Sequence, residues 1–362
     1  MTTTTDAPAA RAGAPRAWAK KPGGSLGRYI AVRALLIIPT VFILVTTVFV
    51  LMRLTGDPIT AAQGGRLPAD QLAERIHEAG YDRPILVQYL DYLGAVFTGD
   101  FGTTLSDKRA VTDVIVTFGT ATLELAFYAL IVAFLVGIPL GRLAAFHRDR
   151  WPDAVFRVGG ILAYATPVFF LGLLLKLVFS VWLDVLPVAG RADTRSELTL
   201  GRVDGATGIY LIDAFKTGDA AILGDVLRHA ILPAVALGLL TAGVFLRVVR
   251  TNVISTFGAG YVDAARSRGV AERRLLRKHA YRPALIPIVT VVGLQIALLL
   301  GGAVLTETTF EWKGLGFQLS QYLQARDFVA VQGIVVVLAV VVAVTNFIVD
   351  IIAALIDPRV RY

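Results

Sequence analysis

The chain has 362 residues, of which 56% are hydrophobic and 17% are charged, and its mean hydropathy is +0.67. Soluble proteins average about 25% charged residues, so this composition excludes an ordinary water-soluble domain and indicates a membrane protein. The absence of cysteine excludes disulfides, thiolate zinc sites, iron–sulfur clusters and a cysteine nucleophile. The four histidines are scattered and form no His-x-x-x-His pair, so the sequence predicts no metal site.

Six apolar segments are long enough to cross a bilayer, because a helix needs about 20 apolar residues to span about 30 Å of hydrocarbon. The first is interpreted as a retained helix rather than a signal peptide, since no small-residue cleavage site follows it. Prolines inside the segments are tolerated, because proline is commoner in membrane helices than in soluble ones. The sequence therefore predicts an all-α integral membrane protein with six transmembrane helices, at residues 34–52, 122–140, 158–182, 231–246, 288–305 and 331–356.

The charges between these segments predict the orientation. The tail and alternate loops hold 19 Lys or Arg against 6 Asp or Glu, whereas the other loops hold 13 against 19. Positive charge collects on the cytoplasmic side, so both termini are predicted to lie in the cytoplasm. Because the surplus of +8 is spread over four separate edges, it is interpreted as a topology signal, and no nucleic-acid partner is expected.

The remaining segments divide the chain further. Residues 1–26 form a tail rich in Thr, Ala, Pro and Arg that is predicted to be disordered in the cytoplasm. Segments 53–121 and 183–230, after the first and third helices, are predicted to be external. They are long for loops and carry apolar residues, so we expect each to fold as part of a cap outside the membrane.

No motif predicts an enzyme. The phosphate-binding pattern G-x-x-x-x-G-K-[ST], the G-x-S-x-G elbow and H-E-x-x-H are all missing. Charged residues inside or beside spans are candidates for a translocation path, because they are costly in lipid. Glu124, Lys176 and Glu307 are these candidates; the alternatives are a lysine that reaches the headgroups and solvated glutamates at helix ends. Asp350 is expected to pair with Arg359 or Arg361 instead.

The basic segment 258–287, between the fourth and fifth helices, is the most informative part of the chain. Gly269 is predicted to end one short helix and to precede another, because glycine readily adopts the left-handed conformation. Val262, Ala264 and Ala265 are expected to form a small-residue face that fits a groove of another protein. The alternative is an ordinary basic loop that serves only topology.

Asp263-Ala264-Ala265, Gly269 and the later Ile286-Pro287 resemble the EAA motif, the loop through which ABC importer permeases contact their ATPase. Asp263 replaces the usual Glu of that motif, and Pro283 stands where Asn is frequent. Further blocks of the dipeptide/oligopeptide permeases recur in order: Gly56-Asp57-Pro58, Gly80-Tyr81-Asp82-Arg83-Pro84, Thr122-Leu123-Glu124-Leu125-Ala126, Gly137-Ile138-Pro139-Leu140-Gly141, Thr166-Pro167, Leu305-Thr306-Glu307-Thr308, Trp312-x-Gly314-Leu315-Gly316 and Asp357-Pro358-Arg359. Over residues 27–362 the chain resembles the B-type permease subunit of a bacterial dipeptide ABC importer.

The resemblance implies the six-helix type I importer fold for residues 27–362, in the bacterial cytoplasmic membrane. It implies three kinds of partner: a second permease in a heterodimer, cytoplasmic ATPase subunits that bind ATP and Mg²⁺, and an extracytoplasmic solute-binding protein. No cofactor is expected in this chain. The residues that it assigns to ATPase coupling are Tyr261, Asp263, Ala264, Ala265, Arg268 and Gly269.

The transported solute stays open at this stage. Di- or oligopeptides are the first expectation, and similar permeases carry glutathione, nickel chelates or haem, because much of the selection occurs in the binding protein. An ion-coupled carrier is a less favoured alternative, since it would need more buried charge than these spans contain. A membrane anchor without a transport path is a third alternative.

Overall fold

The computed structural model describes residues 26–54, 56–65, 67–275, 281 and 286–356, and most of these are helical. An isolated antiparallel bridge joins Thr103 and Ala110. The predicted tail, the end of the chain and residues 276–280 and 282–285 lie outside the described residues. The helices are α1 (Leu26–Leu54), α2 (Pro58–Gln63), α3 (Ala69–Glu78), α4 (Ile85–Thr98), α5 (Val111–Phe146), α6 (Trp151–Ala165), α7 (Val168–Leu175), a π-helix (Lys176–Trp182), α8 (Thr194–Leu200), α9 (Tyr210–Thr217), α10 (Ala220–Phe257), α11 (Gly260–Ser267), α12 (Glu272–Arg274), α13 (Ile286–Phe310), α14 (Leu315–Gln324) and α15 (Phe328–Ile356).

Apolar helices of membrane-spanning length confirm the all-α membrane class. Four of the described helices, α1, α5, α10 and α15, are long and apolar enough to cross a bilayer, and a bent pair makes a fifth if it is one span. The 25-residue α13 lies where the fifth span is predicted. Two helices begin earlier than predicted: α5 begins at Val111 and α10 at Ala220, so each takes in the last part of a segment predicted to be external.

The third predicted span is not one continuous helix but a bent pair of helices. Helix α6 ends at Ala165, and the direction of the chain changes by 105° before the pair formed by α7 and the π-helix. Thr166 is extended, with φ −75° and ψ 126°, because the ring of a following proline disfavours the α conformation. Pro167 then stands immediately before α7, where its missing N–H costs nothing.

Helices α5 and α10 pack backbone against backbone and form the centre of the fold. A Cβ atom added to Gly137 or to Gly141 would lie 2.7 Å from a carbonyl oxygen of α10. The same approach occurs from the other side, where a Cβ on Gly238 would lie 2.6 Å from the Ala129 carbonyl. The spacing Gly137-x-x-x-Gly141 places both glycines on one face, as in membrane helices that pack closely through small residues.

Helix α1 lies outside this centre, against α15. Arg33 of α1 forms an ion pair of 3.0 Å with Asp350 of α15. The expected partners of Asp350, Arg359 and Arg361, lie outside the described residues. Near its other end, the ring of Phe49 stacks on Tyr92 of α4, with centroids 5.4 Å apart. Most other α1 side chains are exposed and apolar, as expected for a helix that faces lipid.

The segments between the long helices carry structure of their own. Helices α2 to α4 follow α1, and α8 and α9 follow the π-helix, so both segments contain helices. A small core of Ala192, Leu200, Ala214 and Val226 holds the second of these segments against the start of α10. We call the end of the long helices that carries these segments the outer end, after the predicted orientation.

Candidate functional site

Glu124 of α5 is the centre of a buried polar cluster at the outer end. Only 3% of this residue is exposed. Its Oε2 atom lies 2.5 Å from the Arg191 guanidinium, and its Oε1 atom accepts hydrogen bonds from the Tyr128 hydroxyl at 3.0 Å and the Leu211 amide at 2.8 Å. The Leu211 amide belongs to the first turn of α9, where free N–H groups favour a negative charge. The carboxylate therefore receives both a cation and a helix N-terminus.

Arg191 supplies the positive charge that Glu124 requires. The residue is 5% exposed, and it donates a second hydrogen bond to the Gly208 carbonyl at 2.9 Å. Its guanidinium also stacks over the Tyr210 ring, 3.6 Å from the centroid. Burial raises the pKa of Tyr210, and the adjacent Arg191 charge opposes this increase. Because buried charges are stable only when paired, the loop that carries Arg191 is fixed against α5.

Glu307 lies near this cluster at the end of α13 and is completely buried. Its carboxylate accepts hydrogen bonds from the Thr122 hydroxyl at 2.7 Å and from the Phe317 amide at 2.9 Å, in the first turn of α14. A Cβ added to Gly314 would lie 2.5 Å from the Glu307 carboxylate, so only glycine leaves room there. Trp312, between α13 and α14, also contacts α5, because its ring N–H donates to the Ala121 carbonyl at 2.9 Å.

Lys176, at the start of the π-helix, connects the bent third segment to α13. Its ammonium donates to the Thr309 carbonyl at 2.8 Å and lies 5.6 Å from the Phe310 ring centroid. A lysine beside the last carbonyl groups of a helix is stabilised by the negative end of the helix dipole. The side chain therefore contacts the end of α13. Together with the glutamates, it holds the outer end in place; the role of these three residues in translocation stays a prediction.

The predicted coupling residues lie at the other end of α10, on two short helices. Two residues separate the end of α10 from the start of α11, and α12 follows after the turn at Gly269. Gly269 has φ +80°, a left-handed conformation that side chains with a Cβ rarely adopt. The two-helix arrangement around this glycine is therefore confirmed.

An ion-pair network on the surface fixes the fold of this segment. Arg266 forms ion pairs with Asp263, one turn before it, and with Glu272, at 2.6 Å, at the start of α12. The hydrogen bond to Glu272 raises the pKa of Arg266 above its ordinary value. The guanidinium also lies 5.2 Å from the Phe257 ring centroid, at the end of α10. These contacts connect both short helices to the long one.

Part of the small-residue face predicted for α11 is not exposed. Val262 is completely buried within the chain, and Ala265 is half-buried, so neither is fully free for a partner. Tyr261, Ala264 and Arg268 are exposed. Residues three and four apart lie on one side of a helix; Tyr261 and Ala264 share one side of α11, and Arg268 is the capping residue one turn after Ala264, so these three form one exposed face. We call Tyr261, Ala264 and Arg268 the free face of α11.

Two family models match the chain. The description "Binding-protein-dependent transport system inner membrane component" matches residues 137–362, and the N-terminal model of the same transport systems matches residues 26–126. The chain belongs to this permease family. It is 38% identical to the Di/tripeptide transport system permease protein DppB of Pseudomonas aeruginosa, over 92% of the chain and 98% of that relative.

Two further relatives cover the same part of the chain. It is 37% identical to the Dipeptide transport system permease protein DppB of Escherichia coli K12, over 92% of the chain and 99% of that relative. It is 33% identical to the Glutathione transport system permease protein GsiC of Salmonella choleraesuis, over the same shares of both. These similarities confirm the resemblance inferred from the motifs, and the family description confirms an inner-membrane transport component.

Two charged contacts of this family member were missed at the level of the sequence. One is Arg191, which could have been sought as the cation that a buried Glu124 demands. The other lies at the inner end, where the buried Asp153 of α6 accepts hydrogen bonds of 2.6 and 2.7 Å from Arg250 of α10. No sequence pattern relates residues that lie 97 positions apart, although the rule that buried charges are paired indicates that partners exist.

Proposed function

We propose that the chain is one of two permease subunits of an ATP-driven importer that carries di- or oligopeptides into the cell. The observation that carries this proposal is the match with permeases named for dipeptide and di/tripeptide transport across 92% of the chain. The chain itself hydrolyses no ATP, because it has no phosphate-binding loop. Energy must then come from partner ATPases, which bind ATP and Mg²⁺.

The topology that we propose has six spans with both termini in the cytoplasm. Its support is the charge distribution of the loops together with the six places where long helices or the bent pair occur. In this orientation the Glu124 cluster faces outwards and α11 faces the cytoplasm. The cap segments are then available to a solute-binding protein, and a second, similar permease completes the pathway.

The contact with the ATPase is proposed to be the free face of α11. It is exposed, it includes the small Ala264, and it lies directly after the 38-residue α10, which packs on α5. A push on α11 is transmitted to α10 because only two residues separate the two helices and Val262 of α11 is completely buried within the chain. Ala264 permits close approach, Tyr261 supplies apolar area, and Arg268 contributes charge at the rim.

The transport test uses proteoliposomes that contain this chain, its partner permease and the ATPases, with the binding protein outside. We expect uptake of radiolabelled dipeptide that requires ATP and the binding protein and survives a protonophore. Uptake that persists without ATP and is abolished by the protonophore would instead identify an ion-coupled carrier. No uptake of any dipeptide or oligopeptide would refute the peptide cargo.

Glutathione is the second candidate cargo, because a glutathione permease is 33% identical over 92% of the chain. Glutathione is itself a small peptide, so one assay separates the two candidates. A tenfold excess of unlabelled glutathione should leave dipeptide uptake unchanged if dipeptides are the cargo. Strong inhibition, together with direct uptake of labelled glutathione, would reverse the assignment.

The translocation-path role of Glu124, Lys176 and Glu307 is tested in the same vesicles. Glu124→Gln and Glu307→Gln keep the size of each side chain and remove its charge. If these carboxylates receive the ammonium group of the cargo, uptake falls by more than the loss of assembled complex accounts for; assembly is measured alongside, because Glu124→Gln also leaves the buried Arg191 without its anion. Unchanged uptake of every peptide by the double variant would discard this role and leave the structural one.

A further inference from the structure

A histidine and two aspartates meet where the loop after the π-helix lies against the first turns of α10. One ligand atom from each of Asp193, Asp225 and His229 lies within 4.8 Å of the other two. The His229 side chain is 5% exposed and that of Asp225 is 16% exposed, whereas that of Asp193 is 77% exposed. Two members of the group are therefore held in place, and the third is free to adjust.

The hydrogen bonds of the His229 ring leave one nitrogen for a ligand. Nδ1 lies 2.9 Å from the backbone oxygen of Asp225 and 3.0 Å from its Oδ1 atom, so Nδ1 carries the proton in the neutral ring. Nε2 makes no hydrogen bond within the described part of the chain and points towards the Asp193 carboxylate. Metal-binding histidines typically donate their other N–H to a carbonyl or a carboxylate, and this ring donates to the Asp225 backbone carbonyl, so the Asp225 carboxylate stays available as a ligand.

The separation of the two groups fits a shared ion. Nε2 lies 3.8 Å from Oδ1 of Asp193, which is too long for a hydrogen bond. Zinc lies about 2.0–2.2 Å from nitrogen and oxygen ligands, so two ligands of one ion are at most about 4.4 Å apart. A cation between Nε2 and the Asp193 carboxylate would therefore contact both groups.

The backbone around the group is also fixed. Oδ2 of Asp225 accepts a hydrogen bond from the Asp193 amide at 2.8 Å, which holds the loop beside the ring. One imidazole with two carboxylates is a mixed set that suits zinc and similar ions, whereas magnesium and calcium prefer oxygen ligands alone. The sequence did not predict this site, because one ligand lies 32 and 36 positions before the other two.

We propose that Asp193, Asp225 and His229 bind one divalent transition-metal ion, zinc or a chemically similar ion. The ion would tie the loop to α10. The same loop carries Arg191 to Glu124, and Gly190 donates to the Phe310 carbonyl at 2.9 Å. Metal binding at the outer end therefore stabilises the loop that completes the Glu124 cluster. The proposal is independent of the transported solute.

The test is a titration of the tag-free, full-length chain in detergent with CoCl₂, after metal is removed with EDTA. Cobalt is the probe because its visible absorption reports protein ligands, and ZnCl₂ is then added to displace it. We expect one equivalent to bind and at least about tenfold weaker binding in Asp193→Asn. Asp193 is exposed, so this variant should fold normally; Asp204→Asn, an exposed aspartate of the same segment, is the matched control.

A second readout separates the site from adventitious binding elsewhere. ZnCl₂ should raise the melting temperature of the wild type and of Asp204→Asn, and it should leave that of Asp193→Asn unchanged. Equal cobalt titrations of the wild type and Asp193→Asn, or no saturable cobalt binding by either, would overturn the proposal. His229 would then be a histidine that forms ion pairs with its two aspartates when protonated.

Discussion

The Glu124 cluster and the α11 segment use charge in opposite ways. At the outer end, Glu124 and Arg191 are almost completely buried, and each has several partners in distant parts of the chain. At α11, the pairs of Arg266 with Asp263 and Glu272 are largely exposed and join neighbours in sequence. Buried pairs hold distant parts of the chain together, because the loss of one partner leaves the other charge buried without a counter-ion or solvent. Exposed pairs shape a local surface and leave it accessible to another protein.

The largest expected effect comes from breaking the buried pair. Arg191→Ala leaves the Glu124 carboxylate buried without its cation, so we expect the free energy of unfolding to fall by about 3–5 kcal/mol. Unfolding with sodium dodecyl sulfate, monitored by far-ultraviolet circular dichroism, measures this change. Arg195→Ala, at an exposed position in the same segment, is the control and should change stability by less than about 0.5 kcal/mol. Equal effects of the two variants would contradict the structural role of the cluster.

The next largest loss of stability is expected from disturbing the glycine contact between α5 and α10. Gly141→Ala places a Cβ 2.7 Å from the Leu246 carbonyl, so α5 and α10 must separate. Overpacking of this kind costs about 1–3 kcal/mol. Gly159→Ala is the control, because no described atom outside its own helix lies within 4 Å of a Cβ there. We expect the same denaturation assay to show a loss only at position 141, and a larger loss at position 159 would refute this packing.

A third variant tests the free face of α11 without disturbing the framework. Ala264 is exposed, so Ala264→Trp should leave the stability of the chain unchanged while it blocks close approach of the ATPase. We expect ATP-dependent uptake to fall at least about tenfold, with normal amounts of the chain in the membrane. The control is Ala264→Ser, which is similar in size to the wild type. Wild-type uptake by the tryptophan variant would exclude this face from the contact.

The smallest effect is expected from the surface network itself. Arg266→Gln removes both exposed pairs, and screening by water and salt makes such pairs weak. We therefore expect the melting temperature in detergent to stay within error of the wild type, in contrast to Arg191→Ala. A loss as large as that of Arg191→Ala would erase the difference between the two regions.

Much of the fold was predictable from the sequence, because length and hydropathy alone locate helices that cross a membrane. The bend before Pro167 was not, since proline is also common in continuous membrane helices. At the outer end, the cost of a charge in lipid identified Glu124 and Glu307 as important. Their partners, Arg191 and the N-termini of α9 and α14, could not be predicted, because these contacts depend on loops that return to α5 from distant positions.

At α11, the position of Gly269 was predictable because a left-handed turn between two short helices favours glycine. The free face was predicted only in part. Ala264 and Ala265 are adjacent, and a sequence of eight helical residues does not indicate which side lies against the rest of the chain. The burial of Val262 decides this, and it results from tertiary packing that local periodicity does not contain.

We propose that the geometry of α11 and its turn, rather than its charge, couples this permease to ATP hydrolysis. Gly269→Val and Gly269→Asn test it most directly. An added Cβ at Gly269 contacts none of the residues that the structure describes, so a difference between the variants reflects the left-handed φ of +80°, which asparagine tolerates and valine resists. In proteoliposomes of the assembled complex, we expect uptake to be lost in Gly269→Val and largely retained in Gly269→Asn. Wild-type uptake by an assembled Gly269→Val complex would show that this turn does not couple ATP hydrolysis to transport.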